Sequence, residues 1–332
     1  MKDKQILITG AAGFIGSYLL GYLNRKGYNK IIIADDFADK SKNFNYQSKQ
    51  FIKQVERDDL YNWLLSSGAE IGFVFHLGAR TDTTEFDYSV HERLNVEYSK
   101  MIWHFCAERA ISLVYASSAA TYGAGELGYL DNHELTYKLQ PLNPYGISKN
   151  EFDKWALQQN KTPVCWAGLK FFNVYGPNEY HKGRMASMIF HGFHQIQKTG
   201  KVKLFKSHRP DFKDGEQLRD FIYVKDVAAV CNWLYEKMST NSWSISSNGL
   251  YNLGTGKART FNDLEKAVFA SLGKGENIEY IDMPEDIRDK YQYFTEANMG
   301  KLKSAGYDKP FTSLEEAVKE YVSDYLVSGK YY

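Results

Sequence analysis

Short apolar runs alternate with segments of helical spacing through the first half of the chain. The runs comprise residues 5–9, 30–34, 71–75, 113–118 and 164–172. Each has the length of a strand buried on both faces, and residues 17–26 and 96–109 show the three- and four-residue apolar spacing of helices. This alternation predicts an α/β fold, a doubly wound parallel sheet of Rossmann-like type.

The first apolar run ends in a glycine-rich turn, G-A-A-G-F-I-G from residue 10, and a helical segment follows. Gly10 permits a tight turn, Gly13 lets a pyrophosphate approach the backbone, and Gly16 allows close helix packing. Phe14 and Ile15 belong to the same turn. The helix start adds unpaired N–H groups and positive dipole, both of which attract phosphate.

Two further predicted strands end at the same edge of the sheet as the glycine turn. The second run ends at Asp35 and Asp36, about twenty residues after the glycine turn, where an acid accepts hydrogen bonds from an adenosine ribose. The third run leads into His76-Leu77-Gly78-Ala79-Arg80, which is either a simple turn or a loop that faces the ligand. Together these features predict a dinucleotide-binding site.

Tyr145 and Lys149 lie four residues apart in a stretch that follows Pro141 and Pro144 and turns into a helix. They therefore share one helix face. An ammonium beside a phenol favours phenolate and lowers its pKa, so this pair can move a proton to or from a sugar hydroxyl. By itself the spacing is common on solvated helices.

Gly176 and Pro177 interrupt the alternating pattern and mark an exit from the first domain. Residues 221–224 and 226–236 are a strand and a helix that return to it. The second domain is a smaller, mixed α/β domain that binds substrate. The predicted domains are residues 1–176 with 221–254, which bind the dinucleotide, and residues 177–220 with 255–332.

The G-x-x-G-x-x-G turn and the Tyr145-x-x-x-Lys149 pair resemble the extended short-chain dehydrogenase/reductase superfamily, which includes nucleotide-sugar epimerases and dehydratases. The resemblance implies that Ser118 is the catalytic serine. Dehydratases of this superfamily carry Asp-Glu where this chain has Ala119 and Ala120. Elimination of water therefore lacks a general acid, which favours epimerisation or simple oxidation.

The same resemblance assigns cofactor contacts. It implies that Leu77, Gly78, Ala79 and Arg80 lie beneath the cofactor and that Lys149 holds its ribose. Asn95 resembles the asparagine that steadies the helix carrying the active site, and an ordinary helix N-cap is the equal alternative.

Longer motifs narrow the resemblance to the ADP-L-glycero-D-manno-heptose 6-epimerase family over most of the chain. They are Y-A-S-S-A-A-T-Y-G from residue 115, P-L-N-P-Y-G-I-S-K from residue 141 and F-N-V-Y-G-P-N-E-Y-H-K-G-R-M-A-S from residue 172. The resemblance implies transient oxidation and re-reduction at C6'' of ADP-heptose. It further implies a homo-oligomer, often a pentamer, and supply of heptose for the lipopolysaccharide inner core.

Lys182 is the candidate second acid/base, because the matching lysine of that family faces the tyrosine across the sugar. The role requires a lowered lysine pKa. Residues 207–218 are longer than the family pattern, which leaves the contacts of Lys206 and His208 open. The predicted substrate-binding residues are Asn173, Val174, Arg184, His191, Phe205, Lys206, His208, Arg219 and Tyr291, with Arg219 preferred as a phosphate ligand.

Cofactor choice depends on the segment after the second strand. Asp35 and Asp36 would repel a 2'-phosphate, whereas Lys42 lies in the loop where the family binds that phosphate. NADP is favoured by resemblance, and NAD stays the alternative.

Composition narrows the function classes. Forty-one basic and 40 acidic residues leave a net charge of +1, which disfavours a charge-driven nucleic-acid or membrane partner. No apolar run approaches the roughly 20 residues of a membrane span, and the charged start of the chain is unlike a signal peptide, so we expect a cytoplasmic protein. Cys106, Cys165 and Cys231 are expected to be buried free thiols.

No metal site is predicted. His191 and His194 lie three residues apart on a helix, but no acidic or cysteine partner is at ligand spacing. Two other function classes stay open. A nucleotide-sugar 4-epimerase or NDP-sugar reductase would keep Ser118, Tyr145 and Lys149 without needing Lys182, and a non-catalytic dinucleotide sensor would bind the cofactor without turnover.

Overall fold

A computed structural model of the chain describes residues 4–288 and 291–332. Its strands are β1 (Gln5–Thr9), β2 (Ile31–Asp35), β3 (Lys53–Glu56), β4 (Ile71–His76), β5 (Ser112–Ser118), β6 (Trp166–Phe171), β7 (Asn173–Tyr175), β8 (Val202–Phe205), β9 (Leu218–Arg219), β10 (Phe221–Tyr223), β11 (Gly249–Leu253), β12 (Arg259–Thr260) and β13 (Ile278–Ile281). Its α-helices are α1 (Phe14–Arg25), α2 (Asn43–Tyr46), α3 (Leu60–Ser67), α4 (Tyr88–His91), α5 (Tyr98–Glu108), α6 (His133–Thr136), α7 (Pro144–Leu157), α8 (Met188–Thr199), α9 (Val224–Ser239), α10 (Phe261–Ser271), α11 (Glu285–Arg288), α12 (Gly300–Ser304) and α13 (Leu314–Glu320). Two π-helical turns, Glu92–Glu97 and Tyr321–Leu326, join α4 to α5 and follow α13.

The main sheet has the strand order β11-β6-β5-β4-β1-β2-β3, and every neighbouring pair is parallel. The order reverses between β1 and β4, so the carboxyl ends of these two strands border a crevice at the topological switch point. The predicted doubly wound α/β fold is therefore confirmed.

Both faces of the sheet are buried. In β1, Ile6 and Ile8 pack into a core that includes α1 and α9, whereas Leu7 packs on the other face with α3, α5 and α7. Alternate strand residues point to opposite faces, which explains why these runs are continuously apolar rather than alternating.

Small two-stranded sheets lie outside the main sheet, and we call residues 177–220 with 255–332 the second lobe. β8 pairs in parallel with β13, and β9 pairs antiparallel with β12. The segment of residues 221–254 contributes β11 to the edge of the main sheet, next to β6. β7 pairs in parallel with β10, outside the main sheet.

The described residues contain no helix long and apolar enough to cross a membrane. Cys106, Cys165 and Cys231 are buried free thiols, as predicted.

Candidate active site

The turn between β1 and α1 requires glycine at two positions. Gly10 has φ +70°, and a Cβ there would lie 2.6 Å from the backbone nitrogen of Gly78 in the loop after β4. A Cβ on Gly16 would lie 2.1 Å from the carbonyl oxygen of Gly10. The turn therefore packs backbone against backbone and presents the start of α1 to the crevice.

A cavity of about 460 Å³ opens above this turn. Its lining contains the predicted cofactor residues Gly10, Gly13, Phe14, Ile15, Gly16, Asp35, Asp36, Lys42, Leu77, Gly78, Ala79 and Arg80. Arg57, His181 and Lys182 also line it. The elongated set of strand ends, glycine turn and acidic pair has the chemistry to hold a dinucleotide.

Charges are paired at the β2 end of the cavity. Asp35 accepts a hydrogen bond from Ala12 N at 2.9 Å and pairs with Lys42 Nζ at 3.2 Å. Arg57 lies 3.4 Å from Asp36. Sequence reasoning missed Arg57, although its position just after β3, beside β2, was a usable signal. Each acid at this end has a cation beside it.

Asn95 lies inside the π-helical turn and is buried. Its side chain accepts from Arg80 N at 2.7 Å and donates to Arg80 O at 3.0 Å and to Ser148 Oγ at 2.9 Å. The N-cap alternative is wrong, because Asn95 is within the helix. Instead it joins the loop after β4 to α7.

The helix α7 begins at Pro144, where Asn143 caps it by accepting from Gly146 N at 2.8 Å. Lys149 is buried and donates to Ala116 O of β5 at 2.8 Å. The Ser118 side chain lies beside Tyr145 and acts to lower the tyrosine pKa. The structure thus brings together Ser118, Tyr145 and Lys149 at the carboxyl end of β5.

The predicted direction of the Tyr145 pKa shift is wrong for this structure. Burial raises the pKa of Tyr145, the Ser118 side chain lowers it, and the Asp153 carboxylate raises it, with a net rise. Burial lowers the pKa of Lys149 to about 8, against an opposing effect of Asp153. Desolvation of Tyr145 outweighs the attraction between its phenolate and the Lys149 ammonium, on which the prediction of a lowered pKa was based.

Beneath this trio lies a buried ion pair. Lys170 Nζ is 2.6 Å from Asp153, and both side chains are almost fully inaccessible. Asp153 also accepts from Tyr115 and Ser117, and Lys170 donates to Thr121. These contacts fix β5, β6 and α7 against each other.

Lys182 lies in the 3₁₀ segment Tyr180–Met185 of the second lobe. Its Nζ is 5.4 Å from the centre of the Phe14 ring. Burial lowers the pKa of Lys182, while the nearby Glu179 carboxylate raises it. The ammonium is therefore partly desolvated at the cavity wall, which is the condition for acid/base work by a lysine.

Some predicted substrate residues form one cluster. Arg219 is buried, its guanidinium lies 5.2 Å from the Tyr291 ring centre, and Phe205 is 6.3 Å from Tyr291. Arg219 donates to the carbonyl oxygens of Leu218 and Gln292, and burial lowers its pKa. His208 contacts the cluster through its backbone N–H, which donates to Tyr293 Oη at 2.9 Å.

The side-chain contacts of other predicted substrate residues are with residues outside that cluster. Arg184 is exposed and contacts Thr84 and, at 3.6 Å, Asp82. Lys206 pairs with Asp282 at 3.3 Å. Asn173 and Val174 lie on β7, and His191 lies on α8 beside Phe190.

The longer segment of residues 207–218 is a folded loop. Ser207 N donates to Asp214 at 2.8 Å, and Arg209 stacks over Tyr293. Within the described ranges, no group of three or more potential ligands could hold a metal ion.

Known proteins resemble this chain over nearly its whole length. Residues 6–254 match the NAD dependent epimerase/dehydratase family. An ADP-L-glycero-D-manno-heptose-6-epimerase of Fusobacterium nucleatum is 48% identical, with 99% of this chain and 100% of the relative covered. One of Nitratidesulfovibrio vulgaris is 45% identical, covering 97% and 98%. The solved structure of such an enzyme from Helicobacter pylori has a TM-score of 0.79 and 26% identity, covering 97% and 96%.

Proposed function

Because the chain belongs to the NAD dependent epimerase/dehydratase family, and within it to the ADP-L-glycero-D-manno-heptose-6-epimerase family, we propose that it converts ADP-D-glycero-D-manno-heptose to the L-glycero epimer. The chain is an isomerase. One observation carries the geometric side of the proposal: Lys182 of the second lobe lies in the same cavity as the glycine turn of the first.

The cavity fits a nicotinamide dinucleotide. Close approach of a pyrophosphate needs bare backbone, and a side chain at Gly10 or Gly16 would collide with other backbone atoms. Asp35 lies at the ribose end. When bound, the cofactor supplies reversible hydride acceptance.

The residues at the end of β5 and on α7 perform the first proton transfer. Tyr145 serves one face of the sugar as the acid/base that exchanges a proton with the C6'' oxygen, and Ser118 hydrogen-bonds that reacting oxygen. Lys149 holds the cofactor ribose and keeps a positive charge near the phenol. That charge favours phenolate against the burial that raises the Tyr145 pKa.

Lys182 serves the opposite face of the sugar. A ketone that is re-reduced on its other face needs a proton donor there, and a partly desolvated ammonium can supply it. Ala119 and Ala120 provide no acid for loss of water, so the chemistry stops at inversion.

The test is to incubate the purified protein with ADP-D-glycero-D-manno-heptose and follow appearance of the second epimer by NMR. Failure to form it would overturn the proposal. Lys182→Met is expected to lose at least about 10²-fold in kcat, the low end for a general acid or base. Lys203→Met, at an exposed lysine of β8, is the matched control.

Two alternatives make different predictions. A nucleotide-sugar 4-epimerase or NDP-sugar reductase would keep full turnover of its substrate in Lys182→Met. A dinucleotide sensor would bind cofactor and turn over no sugar nucleotide.

We further propose NADP as the cofactor. Lys42 and Arg57 both reach the ribose end of the cavity, where two cations can accept a 2'-phosphate in place of their acidic partners. Titration of the apo-protein should show tighter binding of NADP than NAD, and Lys42→Ala should remove most of the difference. A wild-type preference for NAD would contradict the choice.

The remaining assignments are proposals that follow from family membership. They are supply of heptose for lipopolysaccharide in the cytoplasm, a homo-oligomer of pentameric type, and the division into dinucleotide and substrate domains. Light scattering of the purified protein tests the oligomer.

A further inference from the structure

Residues 330–332 contact two elements that carry cavity residues, namely α1 and the segment that carries Lys182. The Tyr332 ring stacks on Tyr18 of α1, with ring centres 3.7 Å apart. The Arg25 guanidinium lies 3.9 Å from the centre of the same ring. Tyr331 packs edge-on against Tyr180, 4.8 Å between centres. We call residues 330–332 the strap.

A chain of hydrogen bonds leads from the strap to the cavity. Tyr332 N donates to Asn178 Oδ1 at 2.9 Å, and Asn178 Nδ2 donates to Ser17 Oγ at 3.0 Å. Ser17 Oγ donates to Phe14 O at 3.0 Å. The ring of Phe14 is the surface over which the Lys182 ammonium lies.

The segment that carries Lys182 is held at both ends. Asn178 is fully buried with φ +77°, a conformation that asparagine tolerates better than most residues. The buried Glu179 accepts from Gly176 N, from Ser187 N and Oγ, and from Tyr321 Oη. The strap adds one more attachment, because Tyr180 Oη donates to Lys330 O at 2.7 Å.

The strap also holds the segment that follows Lys42. Lys49, which follows α2, donates from Nζ to Tyr332 O at 2.5 Å. It also donates to the carbonyl oxygen of Asn45, which lies within α2. Asn45 in turn donates to Ala12 O of the glycine turn at 2.8 Å and contacts His181, the neighbour of Lys182, at 3.2 Å. The Lys42 segment and the Lys182 segment thus share one support.

We propose that the strap is a positioning device that fixes Lys182 and the Lys42 segment over the cofactor cavity. Tyr332 of the strap and its hydrogen-bond partner Asn178 are the two positioning residues. The expected effect of the strap on catalysis rests on the proposed function. The geometric part stands without it, because the strap contacts residues that are more than 140 positions away along the chain.

The test uses two variants, which we call the cutting variants, that remove different contacts of the strap. Tyr332→Leu removes the stack on Tyr18 and the contact with Arg25. Asn178→Gly accepts the positive φ without strain and removes only the side-chain hydrogen bonds. Tyr332→Phe keeps the ring and should rescue, and Tyr61→Ala removes an exposed aromatic elsewhere as the control.

The first readout needs no substrate. Reductive methylation of lysines, followed by peptide mass spectrometry, measures access to Lys182 relative to the exposed Lys53. We expect both cutting variants to raise the relative rate at Lys182 at least about threefold and to weaken NADPH binding at least about fivefold. Tyr332→Phe and Tyr61→Ala should match the wild type. Unchanged labelling in a folded cutting variant overturns the proposal.

The second readout is turnover. We expect kcat of epimerisation to fall at least about tenfold in both cutting variants while KM changes less than about threefold, since the strap positions Lys182 rather than the sugar. If the wild type shows no epimerisation, the proposed function fails and the labelling result alone decides on the strap. If Tyr332→Leu does not fold by circular dichroism, Asn178→Gly decides by the same criteria.

Discussion

Two sites with buried ionisable side chains show how single residues set the stability of this protein. The Glu265 carboxyl of α10 is fully buried, and its two oxygens have no hydrogen-bond partner within the described part of the chain. It faces Gly192 of α8, where a Cβ would lie 2.0 Å from a carboxylate oxygen. Burial raises the pKa of Glu265 well above its ordinary value. Burial therefore disfavours the charged form of Glu265, and its carboxyl lies between α8 and α10 without hydrogen bonds that would offset the loss of water.

Glu265→Leu should stabilise the protein, and more so at higher pH. Because the folded-state pKa is raised, the unfolded state releases this proton first, and wild-type stability falls as pH rises above the ordinary glutamate pKa. We expect the variant to gain about 1–3 kcal/mol in free energy of unfolding at pH 8, and less at pH 5. Urea unfolding at the two pH values measures the difference, and a gain that shrinks at pH 8 would refute the argument.

Lys170→Met should be strongly destabilising. It leaves Asp153 buried without its cation, which typically costs about 3–5 kcal/mol. Adding Asp153→Asn should restore part of the loss, because the uncompensated charge is then gone. Lys203→Met, which breaks an exposed contact with Glu279, should change stability by less than about 1 kcal/mol. Equal losses in the two lysine variants, measured by urea unfolding, would contradict this account.

At the scale of elements, the unit of β1, glycine turn and α1 has little room for added side-chain atoms. Gly16→Ala would place a Cβ 2.1 Å from the Gly10 carbonyl oxygen, so the turn must open. We expect NADPH binding to weaken at least about tenfold, measured by fluorescence titration. Gly275→Ala is the control, since no atom lies within 4 Å of a Cβ there. Similar NADPH affinity in both variants would show that the turn accommodates a Cβ at residue 16 without loss of binding.

Elements with local signals were predictable from the sequence. The glycine turn, the strand ends at Asp35 and Ser118, and the start of α7 after Pro141 each have their signal within a few residues. The π-helical turn at Asn95 was not predictable, because it is stabilised by contacts with Arg80 and Ser148, from other elements. The sign of the Tyr145 pKa shift also needed the fold, since burial decides it.

At the scale of the whole molecule, the contacts that the sequence did not reveal are those between distant parts of the chain. Arg57 reaches the cavity from just after β3, beside β2, and His181 reaches it from the segment that carries Lys182. The contacts of Tyr332 with α1 and with Asn178 join positions that no spacing rule connects. The sequence pattern therefore specifies most of the dinucleotide site, while the arrangement of its supports depends on how the lobes pack.

The place of β11 in the sheet has a consequence for biosynthesis. β6 is made early, but its outer edge is covered only when β11 arrives, roughly 80 residues later. At about 5–20 residues per second, that edge stays open on the ribosome for about 4–16 s and can pair with other chains. We expect nascent chains arrested before residue 249 to be cut by protease near β6, and chains in which residue 253 has left the ribosome to resist. Equal resistance at both lengths would show that β6 is protected by other means.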